Sequence, residues 1–272
     1  MSERMIPVGG FCWEELQSAD LSLALPFYQQ LIGWGTRAWP LPDGSVYTLF
    51  GPEGEYVAGA QAHSAEETGE FRGWLSYVHV EDVDGTAARA VELGGTVILA
   101  PHDIPDVGRS AVLQDPEGAL IALMRFLQPS EDPKNPLGSF CWRELMARDV
   151  PRAVAFYTGL LGWTTRVDEH GGYIHFQAGK HQVGGLMAIT EDMGPAPARW
   201  TPYLTVTDVD RLAIRALELG GSVCMQPTDV PGVGRFCIAT DPAGGALAEI
   251  RTGGGGDADA GHVSPRLSCA PA

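Results

Sequence analysis

Hydrophobic residues recur along this chain in two rhythms. Runs that alternate apolar and polar positions predict strands, and stretches with apolar residues three and four apart predict amphipathic helices. Residues 11–16 and 140–145 each open on such a strand. A helix follows each, and in the second copy Ala153, Val154, Phe156, Tyr157, Leu160 and Leu161 recur at helical spacing. Asp149 stands before that helix, where an acidic side chain satisfies free amide groups. Pro151 falls in the tolerated first turn, and Gly162, like Gly33, closes its helix. Three short strands are predicted next, near 36–39, 45–50 and 57–63, and again near 164–167, 172–177 and 183–189.

The order then restarts. A strand over 75–80, or 201–206, leads to Asp82 or Asp208. A helix over 84–93, or 210–219, ends in Gly94-Gly95 or Gly220-Gly221. Three more strands follow, the last two separated by DPEG or DPAG. Pro presets φ in such a turn and Gly relieves its strain. Each half of the chain is therefore βαβββ twice. The repeat is visible in the letters: residues 11–34 return as 140–163, and residues 74–95 as 200–221. The first offset is 129 positions and the second 126. A period near 130 is too long for a solenoid and predicts two domains of one fold, packed about a pseudo-two-fold axis. The expected boundaries are 8–127 and 137–251, joined by a Pro- and charge-rich linker over 128–136. The Gly-rich segment 252–272 lacks the apolar surface to order itself and is expected to be a disordered tail.

Composition narrows the function classes. Acidic residues outnumber basic ones 34 to 18, a net charge of −16 that repels phosphate backbones and argues against nucleic acid. No apolar run is long enough to span a membrane, and the start MSERMIPVGG has no signal-peptide core. The five cysteines show no CxxC spacing. Cys12 and Cys141, repeat equivalents on predicted strands, are expected to be small buried thiols. A cytoplasmic location in a reducing compartment is the expectation. No GxGxxG follows a strand and precedes a helix, so no nicotinamide or flavin is expected.

Three features, repeated in order, carry a resemblance. They are Asp149, Ala153, Phe156-Tyr157 and Leu161-Gly162-Trp163; the stretches 80–95 and 206–221; and Asp115 to Gly118 with Asp241 to Gly244. Over residues 8–251 the chain resembles the vicinal oxygen chelate superfamily, which includes glyoxalase I, bleomycin-resistance proteins and extradiol dioxygenases. The resemblance implies an α+β fold in which paired βαβββ modules curl into half-open eight-stranded barrels. It also implies a divalent metal in each hollow, held by His, Glu or Gln on the first and fourth strands of each module. The corresponding positions here are Trp13 and Trp142, Leu75 and Thr201, Ala122 and Ala248, and Gln61 and Met187. A metal needs lone-pair donors, and Trp, Leu and Ala have none to offer. Glu249, beside Ala248, is the nearest substitute. The expectation is that neither hollow keeps the metal and that the protein uses no cofactor.

Alternation shows what the hollows carry instead. Trp13 and Glu15 share a face, as do Trp142 and Glu144. Tyr77 with His79, Tyr203 with Thr205, Tyr47 with Leu49, and Tyr173 with His175 fall on the same side. Glu15, Glu144, His79 and His175 are the candidate proton carriers. Trp13, Tyr47, Tyr77, Trp142, Tyr173, Tyr203 and Thr205 are the candidate walls for a flat, partly apolar ligand. The same rings would also serve as plugs in a disused hollow. Arg109 and Arg235, in the repeated PxDxPxVGR stretch, are candidate clamps for a ligand oxygen or partners for a nearby acid.

Three functions follow from this. One is a metal-independent tailoring enzyme that dehydrates, cyclises or isomerises an aromatic or polyketide-type molecule. Another is a protein that sequesters a toxic aromatic compound without turnover, as resistance proteins of the superfamily do. The third is a divergent metal enzyme using Gln61, His79, Glu249 or His175. In each case the partner is a small molecule. Fusion of two units makes a monomer with an internal pseudo-dimer plausible beside a homodimer.

Overall fold

The computed structural model describes residues 6–18, 20–41, 44–52, 55–62, 71–128, 137–168 and 172–252. Most of the expected linker and tail, 129–136 and 253–272, lies outside them. The first repeat forms strands β1 (Phe11–Ser18), β2 (Gly35–Pro40), β3 (Val46–Gly51), β4 (Ala58–Ala62), β5 (Gly73–His79), β6 (Thr96–Ile104), β7 (Gly108–Gln114) and β8 (Leu120–Phe126). The second forms β9 (Phe140–Ala147), β10 (Thr164–Val167), β11 (Ile174–Ala178), β12 (His181–Ala188), β13 (Arg199–Thr205), β14 (Ser222–Val230), β15 (Gly234–Thr240) and β16 (Ala246–Thr252). Each repeat makes one eight-stranded mixed sheet, in the orders β2-β3-β4-β1-β5-β8-β7-β6 and β10-β11-β12-β9-β13-β16-β15-β14. Neither sheet closes on itself. The fold is α+β, two glyoxalase-like units in tandem, as the repeat predicts.

Four helices complete the modules: α1 (Leu21–Ile32), α2 (Val83–Glu92), α3 (Val150–Leu161) and α4 (Val209–Glu218). All four begin at an aspartate. Asp20 accepts from the Ser22 amide, Asp82 from Gly85, Asp149 from Arg152 and Asp208 from Arg211. Such a cap stabilises a helix by about 0.5–2 kcal/mol, which explains the repeated acidic residue after the first strand of every module. No helix among the described residues is long and apolar enough to cross a membrane.

The helices do not stay within their own repeat. Phe156, Tyr157 and Leu160 of α3 bury against Val83, Ala87 and Ala90 of α2 and against Ile121 and Leu123 of β8. Phe27 and Tyr28 of α1 do the same with Ala216 of α4 and Leu247 of β16. Two apolar clusters thus each draw on both units. A Phe-Tyr motif meets the DPxG motif of the opposite repeat beside each one. The Tyr157 hydroxyl donates to Asp115 at 3.0 Å, and the Tyr28 hydroxyl donates to Asp241 at 2.8 Å. The indoles of Trp200 and Trp74 donate to those two hydroxyls. Gly95 and Gly221 leave room for the rings of Phe156 and Phe27, where a Cβ would overlap them.

Near the pseudo-axis the duplication breaks. Glu14 and Arg143 occupy the same place in the two repeats, yet they face each other. The Arg143 Nε donates to the fully buried Glu14 at 2.7 Å, and the Ser76 hydroxyl donates to it at 2.6 Å. The guanidinium lies over Phe11 and Phe140, themselves repeat equivalents, at 5.3 and 5.8 Å.

Candidate functional site

On the sheet faces turned away from the helices, where the hollow of each unit is expected, aromatic side chains surround one carboxyl group. In the second, the Trp142 indole donates to the Tyr173 hydroxyl at 2.9 Å. Tyr173 donates to one Glu144 oxygen at 3.0 Å, and Tyr203 donates to the other at 3.1 Å. The first hollow repeats the chain: Trp13 donates to Tyr47 at 2.8 Å, and Tyr77 donates to Glu15 at 2.9 Å. Tyr47 and the side chain of Gln17 bond to Glu15 as well. The tyrosines next to the outer strands need glycine opposite. A Cβ on Gly59 or Gly185 would coincide with the hydroxyl of Tyr47 or Tyr173.

Burial dominates the electrostatics. It pushes the carboxyl pKa of Glu15 and Glu144 up, against the lowering effect of the phenol donors. Burial and the neighbouring carboxylate raise Tyr47, Tyr77, Tyr173 and Tyr203, so these phenols stay protonated and donate. Glu144 remains half-buried, while Glu15 is 5% exposed. An apolar wall stands beside the phenols of the second unit: Met146, Met187, Met193, Met225, Phe236 and Ile238 pack with Tyr173 and Tyr203.

The other expected residues fall out as follows. His175 is buried beside Trp142 and Tyr173, with ring centroids 6.0 and 5.0 Å away, and the Gln182 side chain meets its Nδ1. His79 bonds through Nδ1 to the Ile6 carbonyl and packs on Phe126 rather than pairing with Glu15. Thr205 continues the face of Tyr203, and its backbone bonds to Gly138 and Ser139. Arg109 and Arg235 take the second of their two expected roles, partners for nearby acids and not clamps for a ligand, because both lie on the helix-facing side of β7 and β15. Arg109 pairs with Asp84 at 2.6 Å and Asp103 at 2.8 Å, and Arg235 with Asp210 at 2.7 Å and Asp229 at 2.9 Å. Their donors are committed to the first turns of α2 and α4 and to β6 and β14. Cys12 is buried as expected, whereas Cys141 is exposed.

Sequence reasoning missed Arg199 and His102, and read Thr201 only as a former metal position. A protonated imidazole at His102 would lower the Glu15 pKa. Arg199 does the same for Glu144 and Tyr203, and burial lowers its own pKa. Alternation from Tyr203 back along β13 leads to Thr201 and then Arg199, so the signal was present.

Comparison with known proteins agrees with this architecture. Residues 140–250 match the Glyoxalase/Bleomycin resistance protein/Dioxygenase superfamily, and residues 15–124 match a glyoxalase-like domain. CFP32 of Mycobacterium tuberculosis (strain CDC 1551 / Oshkosh), provisionally named a glyoxylase, is 34% identical over 245 residues, 88% of this chain and 93% of its own. The chain belongs to this superfamily. The anthracycline biosynthesis protein DnrV of Streptomyces peucetius is 31% identical over 274 residues, covering 90% of this chain and 94% of its own. Homoprotocatechuate 2,3-dioxygenase from Arthrobacter globiformis shares the fold, with a TM-score of 0.63 at 16% identity over 93% of this chain and 82% of that one.

The superfamily's metal can be tested against the residues present. Trp13, Leu75, Ala122 and Gln61 stand at these positions in the first unit, and Trp142, Thr201, Ala248 and Met187 in the second. Those eight positions supply one hydroxyl and one amide, in different units. Among the described residues no group of three or more His, Cys, Asp and Glu could hold a metal ion. The donor set does not fit a divalent cation.

Glu249, the expected substitute ligand, points the other way. It is fully buried on the helix-facing side, where the Cys237 thiol donates to Oε2 at 3.5 Å and Oε1 has no partner. Burial drives its pKa well up. A carboxyl whose folded pKa is raised favours the folded state at low pH and loses that contribution as pH rises past its unfolded value of about 4.3. Leu123 fills the same place in the first repeat. Glu249→Leu is therefore expected to stabilise the protein, on the order of 1–3 kcal/mol near neutrality. Urea denaturation checks this, and the gain should shrink toward about pH 4.5; an equal gain at both pH values would contradict the burial argument.

Proposed function

We propose that this protein is a metal-independent enzyme that uses acid–base chemistry to dehydrate, cyclise or isomerise an aromatic or polyketone small molecule. The observation that carries the reading is Glu144, a half-buried residue whose carboxyl, its pKa raised by burial, is held between two phenols in an apolar, ring-lined wall. A carboxyl tuned toward neutrality is suited to take a proton from carbon next to a ketone and return it to a leaving or rearranged group. Tyr173 and Tyr203 fix its two oxygens, and Trp142 fixes Tyr173. Trp142 and the methionine wall exclude water and offer a surface on which a flat ring system stacks. His175, at the edges of Trp142 and Tyr173, is a second proton carrier within the same wall. DnrV, and the similar DauV of Streptomyces sp. (strain C5), are named for anthracycline biosynthesis, which supports a polycyclic substrate and a tailoring role.

Binding without turnover is the second reading, favoured by the phenols that already engage both Glu144 oxygens. One experiment separates these readings. Protein dialysed against a strong chelator is mixed with aromatic polyketones and followed by product analysis and tryptophan quenching. Turnover that survives chelation is the expected result. Activity lost on chelation and restored by a divalent metal would point to a metal enzyme, and stoichiometric binding with no product would point to sequestration.

A further inference from the structure

The two hollows are copies, yet they treat their carboxyl groups differently. Glu15 accepts from Gln17, Tyr47 and Tyr77 and is closed off from solvent. The neighbouring wall positions of that unit are Gly73 and Leu75, which bring no polar side chain. The same positions in the second unit carry Arg199 and Thr201. These alternate with Tyr203 along β13, so all three side chains leave one face of the strand. In the ladder Thr201 stands opposite Glu144, and Arg199 opposite Met146.

Thr201 is 4% exposed, and its hydroxyl has no hydrogen-bond partner. The Nε of Arg199, also buried, has none either. Buried polar atoms almost always have partners. Two unpaired donors on one face, one of them cationic, match an acceptor oxygen that carries negative charge. Glu144 does not oppose this: once it has taken the substrate's proton it is neutral, so no like charge faces the oxygen that becomes anionic in the same step. Around the pair the wall is adaptable. Met146 and Met187 replace Gln17 and Gln61 of the first unit, and four of the chain's seven methionines lie in this cluster. Unbranched thioethers conform to irregular apolar ligands.

We infer that the second hollow alone receives the substrate, and that Arg199 and Thr201 hold an anionic oxygen, an enolate or phenolate, on the edge of its ring system. This rests on the second hollow being the reaction site. It adds a division of labour: the first hollow is a closed hydrogen-bonded core, and the second is the binding site.

The test uses alizarin, at a pH where it is a phenolate, and its dimethyl ether, which stacks equally well but carries no charge. Binding to the full chain is read by tryptophan quenching and equilibrium dialysis. One alizarin per chain is expected. Thr201→Val and Arg199→Gln should each weaken alizarin by roughly 10- to 100-fold, the loss of a charge-assisted hydrogen bond, and leave the ether within about 3-fold. Thr201→Val is nearly isosteric, and the first unit already carries an apolar residue there, so a folding defect does not cloud it. Two alizarin molecules per chain, or equal effects on both probes, would overturn the inference while leaving acid–base catalysis at Glu144 intact. Failure of the unaltered protein to bind either probe would overturn the flat-ligand reading and this inference together.

Discussion

Glu144→Gln lowers turnover by about 10²- to 10⁴-fold, the usual contribution of a positioned general acid–base group, while ligand binding changes little. Glutamine keeps the length and shape of the side chain, and its amide oxygen still accepts from one phenol. It cannot take up a proton, and toward the second phenol its NH2 group can only donate, which leaves that phenol's own O–H without its acceptor. The loss therefore belongs in kcat rather than KM. Unaltered enzyme should show an acidic limb in its pH–rate profile, displaced above the ordinary carboxylate range because burial raises Glu144. Glu144→Gln should abolish that limb. Turnover within a factor of about 3 of the unaltered enzyme, with the limb intact, would remove Glu144 from the mechanism.

Arg143→Met costs about 3–5 kcal/mol of stability, the penalty for leaving a buried partner charge alone. Glu14 is fully buried and keeps only Ser76 when Arg143 is lost. Burial already raises its pKa, and Arg143 is the largest opposing influence. Removing Arg143 lifts it further. The deficit should thus be largest near neutrality and shrink as pH falls toward the unfolded carboxyl value of about 4.3. Combining Arg143→Met with Glu14→Leu should recover most of the loss, because two apolar side chains replace the pair without stranding a charge. Urea midpoints of the single and double variants, at neutral and mildly acidic pH, check this. An undiminished loss in the double variant would show that packing against Phe11 and Phe140, not the charge pair, is what matters.

Much of the fold was legible because the sequence states its pattern twice. Aspartate caps, glycine stops and period-two strands recur in order, and local chemistry is enough to read them. Contacts between the repeats were not legible. Nothing in the spacing announces that Tyr157 seeks Asp115 of the other unit, or that Gly95 makes way for Phe156. In the site, alternation correctly placed Trp142, Glu144, Tyr173 and Tyr203 around one point. It was not carried to Arg109 and Arg235, which left clamp and ion pair both open; the PxDxPxVGR stretch forms β6, a tight turn at Asp106 and β7, with equivalent strands in the second unit. Once that arginine lies in a strand, its parity with Ala111 and Leu113 sends it to the helix side. Thr201 was weighed only as a former metal position, so its hydroxyl went unread as a donor.

The unlike residues at the centre of the molecule also act as a ratchet on its history. Two identical chains meeting about an axis present the same side chain to each other, so a glutamate there would confront its own copy and so would an arginine. Only once the halves differed in sequence could one be acidic and the other basic. From then on neither half could return to self-pairing without trapping like charges in the dry interior.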